Sequence, residues 1–232
     1  MTADQTKEHP PVEALVFDAY GTLYDVASVT ALADEHFPGH GSAISEIWRQ
    51  KQLEYTWLSS LMGRYQDFWQ LTASGLRFAC NALKIELGED ALRALMENYL
   101  QLAPYSEVHE ALKTLSQKIP CAILSNGSPE MLLKVTQHNG FSKLLKEVIS
   151  VHELSIFKPA PQVYQLAVSK LGISKEHIGF VSSNAWDAAG AKSFGFQVFW
   201  INRFNRPPEE LNLPPDHNIR TLDEIAPLIF RD

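Results

Sequence analysis

Cysteine is nearly absent from this sequence, which has only Cys80 and Cys121. Neither sits in CxxC spacing or beside a His/Cys cluster, so a disulfide framework and a zinc site are both excluded. The two thiols read as small buried hydrophobes. No run of about 18 apolar residues occurs, which excludes a membrane-spanning helix, and no Lys/Arg block is present to follow a nucleic-acid backbone. With 27 acids against 20 bases the formal charge is −7, yet an anionic substrate stays open, because a pocket's potential is set by a few local cations and backbone donors. His109, His138, His152 and His177 are scattered without ligand spacing, and nothing supports a catalytic triad. Internal repeats are absent, and the one biased stretch, RPPEELNLPPD (206 to 216), reads as a proline-rich surface loop. The polar opening MTADQTKEHPPVE reads as a short frayed leader on a cytoplasmic protein.

What is present is enough for a full core: 232 residues, 45% hydrophobic and 20% charged, the size of one domain carrying an insertion. Short apolar runs recur at ALVFDAYGTL (14 to 23), CAILSNG (121 to 127), EVISVHEL (147 to 154), HIGFVSSNA (177 to 185) and QVFWINR (197 to 203), each reading as a buried strand. Helical patterns separate most of them. One helix starts with Ser128 as N-cap and Pro129 at its first position and stops at Asn139-Gly140; another runs from about Ala160 to Leu171 and closes at Gly172. Strands alternating with helices predict an α/β fold, a Rossmann-like, mostly parallel sheet built from right-handed βαβ units.

The stretch from 28 to 102 breaks this rhythm, having helix-period segments and no convincing strand. It is expected to form a helical cap subdomain, inserted after the first strand into a core made of 1 to 27 and 103 to 232. In Ile44 to Leu61 the residues Ile44, Ile47, Trp48, Tyr55 and Leu58 share one face, and Arg49 and Leu53 form an i, i+4 pair on a neighbouring one. An insertion at this point rises over the carboxyl edge of the sheet, where open α/β folds bind ligands.

Asp18 closes the first strand beside the Gly21-Thr22 turn. Alone it is most simply a turn former or cap. Ser125-Asn126, Lys158 and the Ser182-Ser183-Asn184 to Asp187 segment follow other predicted strands, and in a parallel sheet those ends converge on one crevice. A carboxylate kept ionised by an adjacent lysine is equipped to be a nucleophile. The helix begun by Ser128 and Pro129 would aim free N–H groups at an anion bound there.

The segments DAYGTLYD (18 to 25), SNGS (125 to 128), KPAPQVY (158 to 164) and SSNAWDAAGA (182 to 191) together resemble the four motifs of the haloacid dehalogenase superfamily, in the expected order. Most members are magnesium-dependent phosphatases with a second Asp two residues after the nucleophile. This chain has Tyr20 there, and the acidic pair of the fourth motif is reduced to Ser183-Asn184 with Asp187 downstream. Acids lost at both positions argue against magnesium, which prefers oxygen ligation anchored by carboxylates. What remains resembles the L-2-haloacid dehalogenases, a likeness that extends to WRQKQLEYTWL (48 to 58) and GRYQDFW (63 to 69) in the cap.

That resemblance implies a cofactor-free hydrolase taking short (S)-2-haloacids to (R)-2-hydroxyacids with inversion, through an ester on Asp18. Lys158 would keep Asp18 anionic, Thr22 would hydrogen-bond it, and Tyr164 would orient Lys158. Ser125 and the backbone N–H groups from Ala19 onward would hold the substrate carboxylate, while Arg49 and Asn126 would receive the halide. Tyr20, Leu53, Phe68 and Trp186 would line an apolar pocket, and Ser182, Asn184 and Asp187 would position the hydrolytic water. No metal is expected. Read without the resemblance, Trp186 and Phe68 are core residues before pocket residues, Arg49 a solvated helix residue, and Ser182 and Ser183 partners for strand-end backbone. The alternatives in function are a magnesium-dependent small-molecule phosphatase and a silent binding protein of the same fold. The relatives it resembles are commonly homodimers, and Tyr55 to Met62 offers an apolar surface for one. The halogen, fluoride included, the acid's chain length and the oligomeric state are not legible in the letters.

Overall fold

The computed structural model describes residues 10–230. Residues 1–9, most of the expected leader, lie outside the described residues. Strands β1 (Ala14–Phe17), β2 (Cys121–Ser125), β4 (Ile178–Ser182) and β5 (Gln197–Ile201) are buried along their whole length. Strands covered on both faces must be apolar along their middles, which is why each reads as an apolar run with polar residues only at its ends, Ser125, Ser182 and Gln197. With β3 (Glu147–Ser150) and β6 (His217–Ile219) at the edges, they form one parallel sheet of order β3-β2-β1-β4-β5-β6. This is the α/β, Rossmann-like core expected from the sequence.

Between β1 and β2 the chain runs through helices α1 (Val29–His36), α2 (Gly41–Leu61), α3 (Phe68–Ala82) and α4 (Glu89–Asn98) before α5 (Val108–Ser116) returns it to the sheet. No strand lies between 28 and 102 among the described residues. Beyond β2 follow α6 (Pro129–His138), α7 (Pro161–Leu171) and α8 (Ala185–Phe194), with α9 (Ile225–Ile229) closing the chain. The starts and stops of α6 and α7 match their sequence signals: Ser128 accepts from Met131 N, and Gly140 and Gly172 take the left-handed conformation that ends each helix. No helix is long and apolar enough to cross a membrane among the described residues.

Three readings need correction. The run 147 to 154 is a strand only to Ser150, whose hydroxyl accepts from His152 N and turns the chain into a 3-10 segment over Val151–Leu154. The run 177 to 185 likewise stops at Ser182, because Asn184 already caps α8. The third concerns α2. Leu58 is 40% exposed, and the buried stripe continues from Ile44 and Trp48 through the polar Gln52, Thr56 and Ser59. Polar groups are tolerated inside because α3 supplies partners: Gln52 Nε2 donates to Thr72 Oγ1 at 2.7 Å and Trp48 Nε1 to the Thr72 carbonyl at 2.7 Å. Trp48→Ala should therefore empty a fully buried site and remove the indole's hydrogen bond to α3. We expect a loss of about 3–5 kcal/mol in urea unfolding, and a loss under about 1 kcal/mol would contradict this packing.

Both cysteines are free and buried, and burial pushes the Cys121 thiol up to about 12. They are inert packing residues, as their isolation in the sequence suggested.

Candidate active site

Successive connections move one way from β1 to β3 and the other way from β4 to β6, so the sheet switches direction between β1 and β4. Asp18 stands at that switch point, directly after β1, with its N–H on the Val181 carbonyl of β4 at 2.9 Å. Ser125 ends β2, Ser182 ends β4, and Lys158 is carried to the same edge by the turn after β3. Gly21, at φ +91°, bends the chain so that Thr22 comes back beneath Asp18, and a side chain there would be strained.

The charges form a closed array. Lys158 Nζ donates to Asp18 Oδ1 at 3.1 Å and to Asp187 Oδ2 at 2.8 Å, with all three residues buried. Thr22 Oγ1 and Asn184 Nδ2 hold the other oxygen, Asp18 Oδ2, at 2.9 and 2.8 Å. Burial works against the ammonium, but the charges of Asp18 and Asp187 outweigh it and hold Lys158 above its usual pKa. Burial pushes Asp187 up to about 6, with the Lys158 charge opposing and the Asp18 charge adding. Tyr164 does not touch Lys158, where sequence reasoning put it: its hydroxyl donates to Asp187 Oδ1 at 2.8 Å, so it bears on the lysine only through that carboxylate. Ser182 Oγ completes the cage, donating to Asp187 Oδ2 at 3.2 Å and accepting from Asn184 N.

From α2, Arg49 Nη2 reaches the Tyr20 carbonyl at 3.2 Å and Asn184 Oδ1 at 3.3 Å. Asp18, Tyr20, Arg49, Leu53, Phe68, Ser125, Asn126, Asn184 and Trp186 line one small cavity of about 10 Å³. The structure thus gathers seven of the eight residues expected to bind substrate. Ala19, the eighth, is fully buried beneath them, its carbonyl accepting from Thr22, Leu23 and Tyr24 N–H groups. Asn126 Oδ1 accepts from Lys158 N at 3.0 Å, and Ser125 Oγ accepts from Gly127 N at 3.1 Å.

A family model described as haloacid dehalogenase-like hydrolase matches residues 12–195, spanning every residue of this cluster. The chain belongs to the haloacid dehalogenase-like hydrolases. It is 48% identical over 219 residues to (S)-2-haloacid dehalogenase 2 of Pseudomonas sp. (strain CBS-3), covering 94% of this chain and 96% of that one. Haloacetate dehalogenase H-2 of Moraxella sp. (strain B) is 46% identical over 94% of this chain and 98% of its own. The solved structure of L-2-haloacid dehalogenase from Xanthobacter autotrophicus, with chloropropionic acid covalently bound, superposes with a TM-score of 0.90 at 36% identity, over 94% of this chain and 98% of that one.

Many haloacid dehalogenase-like hydrolases use magnesium, and the donor set here does not fit it. Only Asp18 and Asp187 bring carboxylates to the cluster among the described residues, and both Asp187 oxygens already carry donors, Lys158 and Ser182 on one and Tyr164 on the other. Burial also pushes the Tyr20 hydroxyl well above its usual pKa, which leaves it a neutral phenol where a phosphatase carries its second acid.

Two supports of this hydrolase's cluster escaped sequence reasoning. Gln52 accepts from Arg49 Nη1 at 2.7 Å, tying the guanidinium to α3 through Thr72. Arg203 lies two residues past β5 and donates to the Thr22 carbonyl at 3.0 Å, held by Glu107 and by the Tyr105 ring. The strand-end rule that found Lys158 would have found Arg203. Gln52 carried no signal, since a glutamine one turn from Arg49 looks like any surface helix residue.

Proposed function

We propose that this chain hydrolyses short (S)-2-haloacids to (R)-2-hydroxyacids with inversion at C2, through an ester on Asp18 and without a metal. The observation that carries the reading is the Lys158 ammonium lying between the Asp18 and Asp187 carboxylates, with Tyr20 at the position of a phosphatase's second acid. An ammonium keeps the nucleophile ionised, and Tyr20 leaves no second acid of the kind a phosphatase carries there for phosphoryl transfer. The covalent adduct in the Xanthobacter enzyme's structure and the dehalogenase names of the relatives point the same way.

Of the two Asp18 oxygens, Oδ2 carries two short donors and Oδ1 one longer contact, so Oδ1 has the freer lone pair and attacks C2. The C2–halogen pair leaves as halide toward Arg49 and Asn126, which supply placed donors in a nearly closed cavity. Ser125 and the N–H groups after Asp18 hold the substrate carboxylate. Tyr20, Leu53, Phe68 and Trp186 enclose the carbon chain. Water then adds to Asp18 Cγ, its proton passing to Asp187, whose raised pKa suits a base at neutral pH. The Cγ–O bond to the substrate breaks, the departing alkoxide oxygen takes back the proton held by Asp187, and loss of the proton left on the added oxygen restores the Asp18 carboxylate. Ser182, Asn184 and, through Asp187, Tyr164 keep that base and the water in register. Residues 28–102 act as the cap over this crevice.

Two free buried thiols accord with a cytoplasmic protein, and the exposed Leu58, Leu61 and Met62 accord with a homodimer through the end of α2. The deciding experiment is chloride release from each 2-chloropropanoate enantiomer in excess EDTA. We expect full-rate turnover of the (S) acid and none of the (R) acid. Strict dependence on added magnesium would restore the phosphatase reading, and no halide from any haloacid would favour a silent binding protein.

A further inference from the structure

The reaction cavity, at about 10 Å³, has room for about one water-sized centre. Beside it, between the end of α2 and the turn before α7, lies a chamber of about 420 Å³, a volume typical of small-molecule sites. Trp186 lines both spaces, and Lys158, which holds Asp18, lines the chamber as well. The other walls are Trp57, Leu61, Ile156, Phe157, Pro159 and Ala160.

The chamber offers almost nothing polar. The Ser60 hydroxyl is spent on the Thr56 carbonyl at 2.8 Å and on Phe157 N at 3.1 Å. Lys158 is spent on the two carboxylates. A second charged or hydrogen-bonding group entering here would lose its water without compensation, whereas a hydrocarbon would gain from leaving water. Trp57 and Trp186 stand edge to face at 5.4 Å. Among the described residues neither buried indole N–H has a hydrogen-bond partner, so packing alone holds these two rings where they are.

We infer that this chamber is a tail site for the alkyl chain of 2-haloalkanoates longer than propanoate, and that Trp186, which lines both spaces and is backed by Trp57, sets the accepted chain length. The inference rests on the dehalogenase reading for its substrate, and the occupant follows from continuity: an acid whose C2 sits at Asp18 meets this apolar volume across Trp186, the ring that lines both spaces.

The test has two arms. In the first, propanoate, butanoate, hexanoate and octanoate, which carry no halogen and cannot react, are titrated by tryptophan fluorescence. Affinity should rise roughly threefold per added methylene in the wild type, and the rise should flatten in Ala160→Phe and in Leu61→Trp. These variants fill the chamber from opposite walls, and Leu61 is 84% exposed, so its replacement leaves the core intact. In the second, the ratio of kcat/KM for 2-chlorohexanoate to that for 2-chloropropanoate should fall at least about tenfold in both filled variants. A wild-type affinity independent of chain length, or an unchanged ratio in filled variants with wild-type melting curves, would overturn the tail site. No chloride from 2-chloropropanoate would overturn the dehalogenase reading alone, since the unreactive acids still decide the chamber.

Discussion

Asp18→Asn is expected to lower halide release by at least about 10⁴-fold while leaving a folded protein. The amide has nearly the carboxylate's shape but no anionic lone pair to displace a halide, so the loss falls on the chemical step. Folding should survive because Lys158 keeps Asp187 and the strand contact of residue 18 is made by its backbone. The amide cannot satisfy every neighbour, since Lys158, Thr22 and Asn184 all donate toward residue 18. One donor then faces the new NH2, which should cost about 1–3 kcal/mol of stability. Loss of the Asp18 charge also removes one of the influences that raise Asp187, so the titration of that acid should move down. Mass spectrometry of enzyme quenched during turnover supplies the second readout: an adduct on the peptide containing Asp18 in the wild type and none in the variant. A variant that retained more than about a hundredth of wild-type turnover would remove Asp18 from the nucleophile's role.

The parts of the fold that could be read from the letters are those where one physical demand dominates. Strands β1, β2, β4 and β5 are covered on both faces, and nothing but an apolar run satisfies that demand. β6 escaped notice because an edge strand of three residues, His217 to Ile219, can carry polar side chains toward solvent. The inner stripe of α2 was misread at Leu58 because Gln52 and Thr56 are buried only by virtue of partners on another helix, which no periodicity records. The site follows the same division. Asp18, Lys158 and Asp187 could be placed together because parallel strands deliver their ends to one edge. The hydroxyl of Tyr164 could not be assigned to Asp187 rather than Lys158, since that choice depends on how α7 packs on α8 to within a side chain's length. Gly190 permits that closeness: a Cβ there would lie 2.5 Å from the Tyr164 hydroxyl.

Lys158→Met should abolish turnover to nearly the extent of Asp18→Asn, and unlike that change it should destabilise the protein in a pH-dependent way. Among the described residues the ammonium is the one group that hydrogen-bonds both buried carboxylates, so its removal leaves two like charges facing each other in a nearly dry site. At pH 8 a loss of about 3–5 kcal/mol is expected, the range for breaking a buried pair by deleting one partner. The sign with pH follows from Asp187. Its folded pKa is already about 6 against an ordinary 3.8, with the Lys158 charge pulling it down, so deletion of the lysine raises it further. An acid that holds its proton more tightly when folded contributes stability that is complete below its unfolded pKa and drains away as pH rises through the folded one. The wild type should show this trend between pH 3.8 and about 6, and the variant should extend it above 6. The variant's deficit should therefore shrink on acidification. Adding Asp187→Asn should recover most of the stability at pH 8 and none of the activity, because the remaining carboxylate then has no like charge beside it but also no cation to keep it ionised and oriented. Urea unfolding at pH 5 and pH 8, paired with halide release, makes the measurement. A deficit equal at both pH values would mean that the carboxylates do not repel in the folded state. Turnover within about tenfold of wild type would mean that Asp18 needs no ammonium to serve as nucleophile.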